Sequence, residues 1–229
     1  MIGKIRQNIR ELGIIETGFY GLQRLLAKGG VRLLRYALVA QPVWPDPRLK
    51  GRRGASMTTR EVCPGDPALK AMPLNPDVIA YRQSQGAHCL GLFLDDEMIG
   101  CLWLCLESYD EDEVFCRFIP HPADKAGWDF DVFLLPEYRG GVGFLRLWDA
   151  GNAFLRERGR EWSCSRISVF NQPSVLAHKS MGAQVLGTAT FLVLGRYQIM
   201  LTTVPPFCDI SRNLGRGPRL VLRAPVKGA

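Results

Sequence analysis

The sequence predicts a mixed α/β fold led by a basic helical extension, on three observations. Short apolar runs alternate with turn residues, and two pairs of these runs are joined as hairpins. Other stretches carry apolar residues at helical spacing. The charge is segregated along the chain: residues 1–60 hold 12 Lys/Arg against 3 Asp/Glu, residues 61–204 hold 12 against 18, and the last 25 hold 5 against 1.

Taken in order, Ile2, Ile5, Ile9, Leu12, Phe19, Leu22, Leu25 and Leu26 predict helix to about Gly30, interrupted near Gly13. Lys4, Arg6, Arg10, Arg24 and Lys28 lie among them, a pattern shared by helices packed on their own domain and by basic helices lying on anionic membranes. Residues 34–41 read as extended. Residues 42–54, with three prolines and the pair Arg52-Arg53, read as a linker and place a boundary near residue 56. Beyond it come a strand at 58–62, a helix at 67–71, and a hairpin of residues 88–94 and 98–107 around Asp95-Asp96-Glu97. The acidic run 110–113 reads as a solvated turn. A strand at 130–135, a glycine-rich turn and a helix to about Arg158 come next, then a strand at 167–170 and a helix at 174–181. Residues 185–194 and 197–204 form a last hairpin around Gly195-Arg196, and no periodicity is visible after Pro205-Pro206.

Composition excludes several classes. With 47% hydrophobic and 22% charged residues the chain is globular, and no apolar run reaches the roughly 18 residues that a membrane-spanning helix needs. The seven cysteines have no Cys-x-x-Cys spacing, and only His88 adjoins one, so no metal site is expected. Cys101 and Cys105 read as small buried hydrophobes. No signal peptide is evident, and a cytoplasmic protein in a reducing compartment is expected. The arginine cluster 48–60 has only Trp44 at its edge and lacks the interleaved aromatics of a single-strand nucleic-acid platform.

Two motifs carry chemistry. In Val132-Phe-Leu-Leu-Pro-Glu-Tyr-Arg-Gly-Gly-Val-Gly-Phe144 a strand runs through a glycine-rich turn into a helix, so backbone N–H groups and the helix dipole converge where an anion could sit. Neither a Walker loop nor a dinucleotide fingerprint is present. Downstream, Asn171-Gln-Pro-Ser174-Val-Leu-Ala-His178-Lys-Ser-Met-Gly182 starts and stops a helix.

Together these motifs resemble the GNAT superfamily of acyl-CoA-dependent N-acyltransferases over about residues 57–204. That family places a Gln/Arg-x-x-Gly-x-Gly/Ala turn after a Pro-x-Tyr-Arg-Gly strand end, and later an Asn-x-x-Ala/Ser element. Asn171, Ser174 and Gly182 fall in register, whereas the turn departs by one residue, putting Tyr138 in the Gln/Arg place if Gly141 and Gly143 are the two glycines. The resemblance implies a mixed, mostly antiparallel central sheet flanked by helices. It also implies acetyl-CoA as co-substrate and no metal. Phe133, Leu134 and Leu135 would pair with the pantetheine arm, and Arg139, Gly140, Gly141, Val142, Gly143 and Phe144 would hold the pyrophosphate. Asn171 and Ser174 would assist. His178 stands where the family usually has its acid tyrosine, with a structural role on its helix as the alternative. Asp129 and Asp131, on one face of the strand, are candidate bases or simply a solvated strand start, and Glu107 is a third candidate.

These expectations define an N-acetyltransferase domain, 57–204, between a basic segment, 1–56, and a basic tail, 205–229, acting on a small-molecule or amine-bearing acceptor by direct attack. One alternative is a membrane-associated enzyme for a lipid-linked amino sugar or a longer acyl chain, held to an anionic membrane surface at the inner face through residues 1–35. Another is a coenzyme-A-binding module without catalysis. A homodimer is compatible with either.

Overall fold

A helix, a long strand and a polar loop emerge where the first sixty residues read as extension and linker. The computed structural model describes residues 6, 7, 9, 10, 12–139 and 141–225. The expected helical positions Ile2, Lys4 and Ile5 lie outside them. In chain order the elements are α1 (Ile14–Ala27), β1 (Val31–Pro42), β2 (Met57–Val62), α2 (Pro76–Ser84), β3 (His88–Leu94), β4 (Glu97–Cys105), β5 (Tyr109–Asp110), β6 (Arg117–His121), β7 (Ala126–Leu134), α3 (Val142–Glu157), β8 (Trp162–Ser168), α4 (Gln172–Ser180), β9 (Gln184–Leu194), β10 (Tyr197–Thr202), β11 (Cys208–Ser211) and β12 (Arg219–Arg223). The 67–71 and 136–138 segments are 3-10 turns. The α/β class and the mostly antiparallel sheet are as expected. Neighbouring strands run antiparallel in β1–β9, β9–β10, β10–β11, β2–β3, β3–β4 and β4–β7.

The chain divides into two compact units, one formed by Met1–Gln41, Asp110–Ile119 and Cys164–Ala229, the other by Pro42–Tyr109 and Pro120–Ser163. In the first unit the strands are ordered β11-β10-β9-β1-β8. Strand β1 pairs with β9 from Val31 opposite Leu194 to Ala40 opposite Gln184, so residues 31–42 are part of the sheet rather than an appendage. Tyr36 and Leu38 on one face of β1, and Leu33 on the other under α1, are out of water. The tail is built in as well. β11 pairs with β10, and β12 lies beside β6 with Leu220 and Leu222 fully buried. Two strands of four and five residues are too short for a periodicity to stand out in sequence.

The acidic run 110–113 is held in place, with Glu111 buried and Asp112 and Glu113 exposed. Arg166 on β8 donates from Nε to Glu111 at 2.5 Å and from Nη2 to Glu113 at 3.1 Å. The Tyr36 hydroxyl donates to the same Glu113 carboxylate at 2.6 Å, and the guanidinium lies 4.3 Å from the centre of the Tyr36 ring. Burial alone would push the Glu111 carboxyl up, but the Arg166 guanidinium outweighs it and holds the carboxyl below its ordinary range. Gln198 closes the loop by accepting from the Phe115 N–H and donating to its carbonyl, both at 2.8 Å.

In the second unit the order is β7-β4-β3-β2, and α3 lays Leu147, Trp148 and Leu155 against it. The close approach needs glycine: a Cβ on Gly151 would stand 2.6 Å from Leu102. The proline-rich segment 42–54 is docked on α3. Asp149 accepts the Arg48 and Leu49 amides at 2.8 and 3.1 Å, Asn152 accepts the Trp44 amide at 3.2 Å, and Arg156 donates to the Trp44 carbonyl at 2.8 Å. Composition marked it as a linker because its polar groups are backbone, which leaves no hydrophobic pattern to read. Helix α2 went unread because its apolar residues, Val78–Tyr81, are consecutive and define no single face. Its start is signalled by Asn75, which caps the Asp77 amide at 2.9 Å, followed by Pro76. Cys101 and Cys105 are buried free thiols, as expected.

Replacing Arg166 with Met leaves Glu111 buried without its partner, and chemical denaturation at pH 7 should show a loss of about 3–5 kcal/mol. Because Glu111 titrates below its unfolded value, the stabilisation exists above that value and fades as pH falls through the carboxylate range. The gap between wild type and Arg166→Met should therefore narrow below about pH 4. A gap that stays constant from pH 7 to pH 3 would contradict this.

Candidate active site

Strand β7 carries the features on which the site is built. Opposite β4 it runs regularly from Trp128 to Phe130, where Phe130 faces Trp103, and resumes at Phe133, which faces Cys101. Three steps on β7 thus match two on β4, a β-bulge at 131–132. Asp131 takes the left-handed conformation there, at φ 50. The bulge breaks the alternation that put Asp129 and Asp131 on one face. Asp129 is buried and accepts the Ser163 hydroxyl at 2.6 Å. Asp131 is turned toward solvent and accepts from Arg82 Nη1 at 2.5 Å. Arg82 is itself only 5% exposed, with its guanidinium 5.4 Å from the Trp103 ring centre and 5.2 Å from that of Phe130. Sequence reading missed Arg82 because its helix carries no amphipathic signal.

The bulge also settles which backbone groups of β7 turn away from β4. The Leu135 N–H donates to the Ile99 carbonyl at 2.9 Å, so Leu135 and, two residues before it, Phe133 spend their backbone on β4. Leu134, between them, turns its N–H and carbonyl to the other edge, where its carbonyl accepts from Arg139 Nε at 2.8 Å. Of the three residues expected to pair with pantetheine, Leu134 is the one whose backbone points away from the β4 ladder.

Past Leu135 the 3-10 turn Pro136–Tyr138 delivers the chain to α3. Gly141 is the N-cap residue, with φ −135, and offers no side chain to the helix; no acidic residue stands in the first turn. The first amides of α3, from Val142, Gly143 and Phe144, therefore meet no capping side chain, as an anion-receiving helix start requires. A Cβ on Gly141 would touch nothing within 4 Å, whereas one on Gly143 would lie 3.4 Å from both Leu92 and the Tyr138 carbonyl. Gly143 lets the turn sit close on the helix; Gly141 leaves the approach open. Gly140 lies outside the described residues.

Asn171 and Ser174 open α4, the Asn171 side chain accepting the Ser174 amide at 3.3 Å. His178, one turn on, is buried at 4% exposure, and its Nδ1 lies 3.0 Å from Gln41 Oε1, so with the amide oriented this way the ring donates. Burial lowers its pKa to about 4, which keeps the imidazole neutral at pH 7. His178 is thus a buried neutral ring joined to the end of β1. Glu107 is exposed after β4. Among the described residues no group of three or more His, Cys, Asp or Glu is clustered as a metal site would need.

Strand, bulge, glycine turn and uncapped helix succeed one another within a mixed, mostly antiparallel sheet flanked by helices. This is the fold class that the sequence predicts.

No family model matches the chain, and no curated protein matches it in sequence. Among solved structures it is similar to a conserved protein of unknown function from Staphylococcus epidermidis, with a TM-score of 0.52 and 9% identity over 82% of this chain and 65% of that one. It is also similar to a tandem GNAT protein from the clavulanic acid biosynthesis pathway, with 0.49 and 13% over 75% of this chain and 57% of that one. A third is a GCN5-related glucosamine N-acetyltransferase region in a fungal multi-domain β-N-acetylglucosaminidase, with 0.48 and 16% over 76% and 22%. The chain matches less than two thirds of the length of each. At these identities the likeness is one of fold.

The buried position of His178 has a spectroscopic consequence. An unfolded imidazole titrates near 6.5, the folded one near 4, so between these values the unfolded state binds the proton and stability falls as pH is lowered. Acidification from pH 7 to pH 5 should cost about 2 kcal/mol through this group, and the His178 ring should show no NMR titration between pH 5 and pH 8. A midpoint near 6.5 would refute the burial argument.

Proposed function

We propose that the protein is an N-acyltransferase that moves an acetyl group from acetyl-CoA to a primary amine by direct attack. The observation that carries this reading is the bulged strand β7 ending in a turn that presents an uncapped, glycine-lined helix start. A pyrophosphate is a doubly charged guest for the amides of Val142, Gly143 and Phe144, and Arg139 stands at the entry to the same turn. The outward-facing backbone of Leu134 is placed to continue that contact along an amide-bearing pantetheine arm.

The chemistry asks little of the protein beyond positioning, because a thioester is already activated. The amine nitrogen forms a bond to the acetyl carbonyl carbon, the carbon–sulfur bond breaks, and the electron pair leaves with the thiolate. The amine loses a proton to solvent or a carboxylate, and the thiolate gains one. Asp131, exposed at the bulge, is the carboxylate we assign to attracting an ammonium acceptor, while Asp129 holds the strand through Ser163. His178 takes a positioning role as a neutral ring.

The test is release of free coenzyme A thiol from acetyl-CoA on addition of a panel of primary amines. Amine-dependent release is expected; hydrolysis that ignores every amine would count against transfer. Gly141→Asp supplies a cap to α3 and places a carboxylate at the proposed phosphate site. Its stability should match wild type or exceed it by a few tenths of a kcal/mol, while acetyl-CoA affinity falls at least tenfold. A folded Gly141→Asp protein that binds the coenzyme as tightly as wild type would remove the turn from the site.

A further inference from the structure

Strand β10 is two-faced. Gln198 and Met200 point into the core, while Tyr197, Ile199 and Leu201 point out and are 49, 40 and 51% exposed. The register extends that outward face across the sheet of the first unit. Leu194 stands opposite Tyr197, Leu192 opposite Ile199, and Thr190 opposite Leu201. On the far side Ile210 faces Ile199 and Cys208 faces Leu201; Ile210 is 73% exposed. Phe207, just before β11, is exposed as well.

Among the described residues, the contacts of helix α1 with this face are at its β1 end. Its Gln23 donates to the Leu33 carbonyl, and its Glu16 holds Arg35, whose side chain lies on Phe19 and donates to Thr190. Ile14, Ile15, Leu22 and Leu25 on α1 remain exposed as well. Among the described residues, the outward side chains of β10 and β11 and the exposed apolar residues of α1 are thus left uncovered.

The charge of this face is one-sided. The unit that bears it holds sixteen Lys/Arg against seven Asp/Glu, a net of +9. The cations gather at one end of the face, where Val31, Leu194 and Tyr197 form a row. There Arg24 and Lys28 stand in the last turn and cap of α1, Arg196 lies in the β9–β10 turn beside Tyr197, and Arg212 comes directly after β11. Among the described residues of α1 and of the outward strand positions, the one carboxylate is Glu16, and Arg35 neutralises it. Aliphatic and aromatic side chains rimmed by cations, with no opposing acid, match the interface of an anionic bilayer, where apolar groups enter the headgroup boundary and cations meet lipid phosphates. A water-soluble acidic partner would favour charge spread over the surface rather than a carboxylate-free apolar centre. Among the described residues no helix is long and apolar enough to cross a membrane, so the contact is with the bilayer surface.

We infer that the outer face of β9–β11, together with the exposed flank of α1, docks the protein on an anionic lipid membrane. The inference stands apart from the acyltransferase reading, because it rests on residues of the other unit and its readout needs no substrate.

Co-sedimentation of the full chain with vesicles of equal parts phosphatidylcholine and phosphatidylglycerol tests it. The protein should pellet with these vesicles, stay in solution with phosphatidylcholine alone, and release as salt is raised. The double variant Ile199→Asp/Leu201→Asp should no longer pellet. Arg196→Gln/Arg212→Gln keeps the apolar face and should weaken partitioning about 25-fold, as expected for two cationic contacts at an anionic surface. Both variants change exposed positions, and melting temperatures equal to wild type establish that they are folded. The proposal is overturned if wild type ignores the anionic vesicles, or if both folded variants pellet as wild type does. A soluble dimer that Ile199→Asp dissociates, without vesicle binding, overturns it in favour of a second copy on this face.

Discussion

Asp131 bends the chain in mid-strand, in a backbone conformation that side chains other than glycine seldom take, and Arg82 holds it there. A left-handed residue with a Cβ costs roughly 1–2 kcal/mol, and a guanidinium as buried as that of Arg82 is costly without an anion. Each residue answers the other's cost. The pair has Trp103 and Phe130 as its floor, so strand pairing, aromatic packing and ion pair fix the same geometry. The chain from Val132 to the first turn of α3 inherits that geometry. The extra residue shifts the alternation of β7, turns the Leu134 backbone away from β4 and aims the 136–138 turn at the start of α3. In a regular strand the same sequence would direct Leu134 into the ladder.

Buried polar pairs play a comparable part in the other unit. Arg166 draws Glu111 and Glu113 together and rests on Tyr36, which fixes an acidic loop that four adjacent carboxyl-bearing residues would otherwise keep apart. Such arrangements specify a conformation more than they stabilise it, since each charge lost its hydration on the way in. The +9 charge of that unit against −2 for the other shows that the segregation seen along the sequence becomes, in three dimensions, a difference between two bodies assembled from non-contiguous segments.

Legibility depended on the physics of each element. The hairpins around Asp95-Asp96 and Gly195-Arg196 and the amphipathic α3 could be read directly, because burial on one face imposes a period. The start of α3 and the Asn171 cap were equally visible, since glycine, asparagine and proline at those positions have local reasons to be there. Segment 43–56 escaped because its anchoring uses backbone amides received by Asp149 and Asn152, more than ninety residues further on. The burial of His178 also depends on a distant partner, Gln41, and no local pattern announces it. The bulge at Asp131 was hidden by its residue type, as a glycine there would have flagged the turn. Within the candidate site, then, the glycine turn into α3 was legible and the carboxylate geometry was not.

The central claim is that the turn between β7 and α3 is a coenzyme site, and isothermal titration of the purified, folded chain with acetyl-CoA tests it most directly. The account predicts saturable binding at one site per chain, diminished by added inorganic pyrophosphate, which competes for the same helix amides. A folded protein that takes up no acetyl-CoA would contradict it and leave the α/β architecture as scaffold alone.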